Sequence, residues 1–109
     1  MSNLEFHVLL ALIAQPLYGY AIKDAVETES SGTLTPRAGS LYRVIARLVT
    51  AGLVREAEPE GAVPPHPGLA RKYYALTSAG RRELAAETRG RKLATSMAEK
   101  RLGVARGRS

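Results

Sequence analysis

The stretch "TPRAGSLYRVIARLVTAGLV", residues 35–54, carries two patterns on one helix. Leu41, Val44, Ile45, Leu48 and Val49 fall at i, i+3, i+4, i+7 and i+8, the apolar stripe of a single helical face. That face is expected to be core. The opposite side carries Ser40, Arg43, Ala46, Arg47 and Thr50, with Arg37 just ahead of the helix start. It offers hydroxyl and guanidinium groups and no carboxylate, whereas a face that only keeps a helix soluble usually mixes signs. Gly52 suits the left-handed residue that closes such a helix.

Downstream, "LVREAE" (53–58) alternates as a strand does, and "RKYYAL" (71–76) is a second strand rich in aromatic residues. Between them "PEGAVPPHPGLA" holds four prolines and two glycines, so it continues neither strand and must protrude as a loop. The three pieces make a β-hairpin. Thr77 or Ser78 then caps a last helix whose larger apolar groups are Leu84, Leu93, Met97 and Leu102, weakened by Gly80, Gly90 and Gly103.

Upstream, Tyr18, Ala21, Ile22, Ala25 and Val26 repeat the helical spacing and predict a second helix, ended near Gly32. Residues 4–14 are almost continuously apolar; Leu and Ala dominate, so helix is favoured over strand, with Asn3 as its cap. "QPLYGY" breaks it, since Gln15 precedes a proline. The order helix, helix, helix, hairpin, helix predicts a mostly α protein with a two-stranded β-wing, a winged helix-turn-helix plus a C-terminal helix. The third helix is then the recognition helix, whose guanidinium and hydroxyl groups can reach base edges or phosphates in the major groove. The hairpin tip would follow the backbone or the adjacent minor groove, with Arg71 and Lys72 placed for phosphates.

Composition narrows the partners. A chain of 109 residues, 45% hydrophobic, has room for one small domain whose thin core favours self-association. The formal charge is +6, yet residues 1–52 balance Lys23, Arg37, Arg43 and Arg47 against Glu5, Asp24, Glu27 and Glu29. The excess therefore lies in residues 53–109 and fits either a polyanionic partner or simple solubility. With no Cys there is no disulfide or thiol chemistry, and a cytoplasmic protein is expected. "VLLALIA" (8–14) is far short of the ~20 apolar residues that span a bilayer, so neither a membrane span nor a signal peptide is expected.

In order and spacing, "PLYGYAI", "GSLYRVIARLVTAGLV" and "ARKYYALTSAG" resemble the three signatures of the PadR-like bacterial transcriptional regulators, over residues 4 to about 80. The resemblance implies a homodimeric winged-helix repressor that binds double-stranded DNA at a pseudo-palindromic operator and is released by a small-molecule effector. It implies residues 1–77 as the DNA-binding domain, 78–102 as a dimerisation helix packing with the partner's first helix, and 103–109 as a basic tail. Leu4, Val8, Leu84, Leu93 and Met97 are the expected dimer contacts. Two departures stand out. The position after "LY", commonly proline in the family, is Arg43, which adds a contact to phosphate or base. Short members often carry a tryptophan for flat ligands at the dimer interface, and this chain has none.

Arg37, Ser40, Tyr42, Arg43, Arg47, His66, Arg71 and Lys72 are thus the expected DNA-binding residues. For Tyr42 two readings stay open: a packed ring with a polar tip, or a hydroxyl that reaches a phosphate. Tyr73 and Tyr74 should face opposite sides of their strand. Tyr18 and Tyr20 are expected to pack, with Gly19 letting two backbones approach. His7 and His66, without Cys or a carboxylate cluster, make no metal site. No nucleophile constellation, phosphate-binding glycine loop or dinucleotide fingerprint is present, so neither enzyme activity nor a cofactor is expected. A winged-helix module that binds proteins rather than specific DNA is the competing reading.

Overall fold

The computed structural model describes residues 1–58 and 71–103. Four helices, α1 (Asn3–Ala11), α2 (Gly19–Glu29), α3 (Ala38–Thr50) and α4 (Ser78–Leu102), combine with strands β1 (Leu17–Tyr18), β2 (Val54–Ala57) and β3 (Tyr73–Leu76). The proline-rich loop and the chain end fall outside the described residues, and with them His66.

Helix α1 is capped by Ser2 rather than Asn3. The Ser2 hydroxyl accepts from the Glu5 N–H at 3.1 Å while the Glu5 carboxylate accepts from the Ser2 N–H at 2.7 Å, a reciprocal capping box. The helix stops at Ala11, three residues before the expected end. There the Leu12 and Ile13 amides bond back only three residues, to the Leu9 and Leu10 carbonyls, a tightening that prepares the exit toward Pro16.

Both ends of the helix-turn-helix close alike. After α3, the Leu53 N–H reaches the Leu48 carbonyl and Gly52 N–H that of Val49, with Gly52 at φ +78°, so the last carbonyls are satisfied and the chain enters β2. After α2 the same pair of bonds runs from Gly32 to Glu27 and from Ser31 to Thr28. Ser31 itself takes a left-handed φ of 54° beside Gly32 at 78°.

The sheet has three antiparallel strands in the order β1-β3-β2, one more than the two-stranded wing expected. Leu17 and Tyr18 pair with Tyr74 and Tyr73, and Val54 to Ala57 pair with Leu76 to Tyr73. Strand β1 is two residues long and has no sequence pattern of its own; pairing with β3 creates it. The core gathers Val8, Leu9 and Leu12 from the α1 region, Ile22 and Val26 from α2, and Leu41, Val44, Ile45 and Leu48 from α3. Val54, Tyr74 and Leu84 close it. Val49, expected in this stripe, is instead 38% exposed at its edge.

Helix α4 runs unbroken for 25 residues through Gly80 and Gly90, and Gly103 caps it in the left-handed conformation. Its start is welded to the α3–β2 turn. The Thr77 hydroxyl accepts from the Gly80 N–H at 2.9 Å and donates to the Gly52 carbonyl at 2.7 Å, and the Thr77 N–H donates to the Leu53 carbonyl. A Cβ on Gly80 would run into the Leu53 carbonyl and the Leu76 side chain, so helix and turn touch only because that position is bare. Among the described residues no helix is long and apolar enough to cross a membrane.

Candidate nucleic-acid interface

At about 100° per residue, the buried residues of α3 leave an exposed arc centred on the row Gly39, Arg43, Ala46 and Thr50. Arg47 and Ser40 border the arc on one side, Tyr42 and Val49 on the other. The arc carries two guanidinium groups, three hydroxyls and no carboxylate, as its sequence promised. The Arg43 guanidinium lies 3.4 Å from the Ser40 hydroxyl, a marginal hydrogen bond that leaves both free for other partners. One carboxylate approaches from outside the helix. The backbone N–H of Ser2 holds the Glu5 carboxyl below its ordinary range, and the Arg47 charge acts in the same direction.

On the Tyr42 side a groove of about 300 Å³ separates α3 from the sheet, lined by Tyr42, Ile45, Ala46, Val49, Thr50, Glu56, Lys72 and Tyr74. Burial raises the Tyr74 hydroxyl above its ordinary pKa. Lys72, just ahead of β3, pairs with Glu56 of β2 at 3.4 Å, both well exposed, so the contact is weak and the ammonium remains available. The Arg71 guanidinium sits 4.3 Å above the Tyr18 ring, which meets Tyr73 edge-on at 5.6 Å. The base of the wing is thereby ordered by aromatic contacts that tie β1 to β3. Tyr74 faces the core and Tyr73 is half-buried, but Ala75 is buried beside Tyr74, so burial along β3 does not alternate cleanly.

The start of α2 corrects two expectations. Tyr20 does not pack; it is 62% exposed, with the Lys23 ammonium 6.0 Å from its ring. Gly19 does not bring backbones together but leaves room for a side chain, because a Cβ there would overlap the ring of Tyr42. The Gly19–Tyr42 contact had no local signal, since residues 19 and 42 meet only through the turn between the helices. The four helix starts also divide in two. Side-chain hydrogen bonds cap α1 and α4, whereas Tyr18 and Arg37 supply none to α2 and α3. An uncapped start leaves amide donors and the positive end of the helix dipole for an outside anion.

The family model for the PadR-like transcriptional regulators matches residues 8–86. The chain belongs to that family. A protein of transposon TN4556 from Streptomyces fradiae is 44% identical over 86 residues; the match takes in 79% of this chain but only 22% of that protein, so the chain spans about a fifth of this curated relative. A PadR family transcription regulator from Clostridium difficile has the same fold, with a TM-score of 0.74 and 20% identity over 93% of this chain and 99% of that one. Bacillus subtilis PadR, solved in complex with operator DNA, gives a TM-score of 0.67 at 22% identity, covering 80% of this chain and 48% of its own.

The residues that the PadR-like resemblance assigned to a dimer contact fall into two groups. Val8 and Leu84 are taken up in the protomer's own core, and Leu4 packs half-buried against it. Leu93 and Met97 are 64% and 42% exposed on α4, and Leu102 is exposed beyond them. Between α1 and α4 opens a cleft of about 420 Å³ lined by Phe6, Thr88, Arg91, Lys92, Thr95, Ser96 and Glu99. Arg91 anchors one wall. It stacks 4.2 Å above Phe6, pairs with Glu87 at 2.9 Å and donates to the Asn3 side chain at 2.8 Å.

Proposed function

We propose that this PadR-like regulator is a cytoplasmic repressor that binds a pseudo-palindromic operator in double-stranded DNA as a homodimer. One observation carries the reading: the exposed arc of α3 is free of carboxylates, holds Ser40, Tyr42, Arg43 and Arg47, and is flanked by the wing and two uncapped helix starts. Arg43, Ser40 and Arg47 read base edges or set the depth of the helix; Arg37, Arg71, Lys72 and His66 hold phosphates. The Bacillus subtilis relative's complex with operator DNA supports the same use of the fold.

Residues 1–77 form the DNA-binding part in this reading, residues 78–102 pair the protomers and residues 103–109 form a basic tail. The 25 residues of α4 span about 37 Å, well beyond its contact with α1, and expose Leu93 and Met97 on the free part. A partner helix covering these groups adds the buried surface that a domain of this size lacks. A small-molecule effector has room in the cleft beside Phe6 and Arg91, where its binding would alter how α4 sits on α1.

Sedimentation and nuclease footprinting test these points together. A dimer that protects two half-sites centred about 10–10.5 base pairs apart, or a multiple of that, is the expected result. A monomer protecting one site, or protection without dyad symmetry, would contradict the dimer reading. Absence of any protection would favour the protein-interaction alternative.

A further inference from the structure

Gly19 occupies the first position of α2, where an ordinary residue fits the backbone: its φ is not among the positive values, which belong to Gly32, Gly52 and Gly103. Glycine in a helix is a poor choice unless something else requires it. What requires it is Tyr42. A Cβ built on Gly19 would lie 2.6 Å from Cζ and 2.7 Å from Cε1 of that ring and overlap its hydroxyl. The ring comes from the flank of α3 that borders the wing groove, crosses to the start of α2, and still leaves Tyr42 49% exposed. Among the described residues nothing hydrogen-bonds its hydroxyl. A half-exposed phenol whose tip rests on a bare glycine between the two helices of a helix-turn-helix, with its hydroxyl unused by the described residues, is set for an acceptor outside the protein.

We infer that Gly19 is a positioning residue for DNA binding: it seats Tyr42 so that the hydroxyl donates to a DNA backbone phosphate. The inference deepens the proposed function and rests on it. It settles the two readings of Tyr42 in favour of both at once, the ring packed and the hydroxyl engaged. It also separates fold from function, because the obstacle to a side chain at position 19 is the far end of a half-exposed side chain, which can swing into solvent. The obstacle at Gly80 is backbone and cannot.

The test is a double-mutant cycle with Gly19→Ala, Tyr42→Phe and the double variant, each titrated into a duplex enriched from a random pool by the wild-type protein and into a scrambled duplex. Each single variant should lose about tenfold in affinity, the lower range for a hydrogen bond to a charged group. The double variant should lose no more than either single one, because both remove the same contact. The loss should be alike on both duplexes, as befits a phosphate contact, and the salt dependence should not change, since a phenol releases no counterion. The melting temperature of Gly19→Ala should hold or rise. Wild-type affinity in either single variant, losses that multiply, or a loss confined to the enriched duplex would overturn the inference. Failure of the wild-type protein to enrich any duplex would overturn the proposed function with it.

Discussion

Helices α4 and α2 each begin with a glycine in the first turn that a methyl group would disturb, yet the two junctions are built from opposite materials. At α4 the neighbour of Gly80 is the Leu53 carbonyl, the helix is capped by Thr77, and the same hydroxyl holds the Gly52 carbonyl. The Gly80 N–H and the Gly52 and Leu53 carbonyls at that corner are all answered by Thr77. At α2 the neighbour of Gly19 is the tip of Tyr42, no side chain caps the helix, and the adjacent Tyr20 stands in solvent. The donors there are left for something else. The contrast extends to α1, with its capping box, and to α3, which has none. Capping satisfies a helix start and strengthens the fold; leaving it open forgoes that stability and keeps an anion-binding end available.

Substitutions on the two sides should therefore separate stability from DNA binding. Gly80→Ala should be the most damaging, costing about 3 kcal/mol of unfolding free energy by forcing helix and turn apart; denaturant titration measures it, and an unchanged midpoint would mean that the α4 start is not held against the turn. Arg47→Ala should leave stability nearly untouched and weaken binding to the preferred duplex by about 1–3 kcal/mol, with relaxed preference at one base position. A drop in melting temperature as large as that of Gly80→Ala would place Arg47 among the structural residues, through its proximity to Glu5. Thr77→Ala, which removes the cap and the tie to Gly52, should cost about 1 kcal/mol of stability and no affinity per folded molecule. The smallest effect belongs to Lys72→Ala: affinity for all duplexes falls slightly and the salt slope drops by about one, read from titrations at several ionic strengths. An unchanged slope would mean that Lys72 serves only its exposed pair with Glu56.

Much of this contrast was legible along the chain wherever the signal was local. The apolar spacing of Leu41, Val44, Ile45 and Leu48, the left-handed stops at Gly32 and Gly52, and the Thr77 cap all act within a few residues, and each is found in the structure. Contacts that join distant segments left no such trace. Strand β1 exists because Leu17 and Tyr18 find β3 more than fifty positions away. The neighbour of Gly19 and the approach of Glu5 to Arg47 likewise depend on the finished packing. Val49 and Tyr20 were assigned to packing by spacing and residue type alone, and spacing cannot say whether any element lies over the edge of a stripe. Helix α4 survives its internal glycines through its cap, the Glu87–Arg91 pair and the anchoring of Arg91 on α1, only the first two of which are local.

On the proposed function, the α3 face and its flanks bind DNA by sequence. The most direct test is the affinity of the wild-type protein for its enriched duplex and for a scrambled one across a range of salt. The enriched duplex should be favoured by about 10³-fold or more, with both affinities falling as salt rises. Equal affinity for the two, or no binding to either, would contradict it.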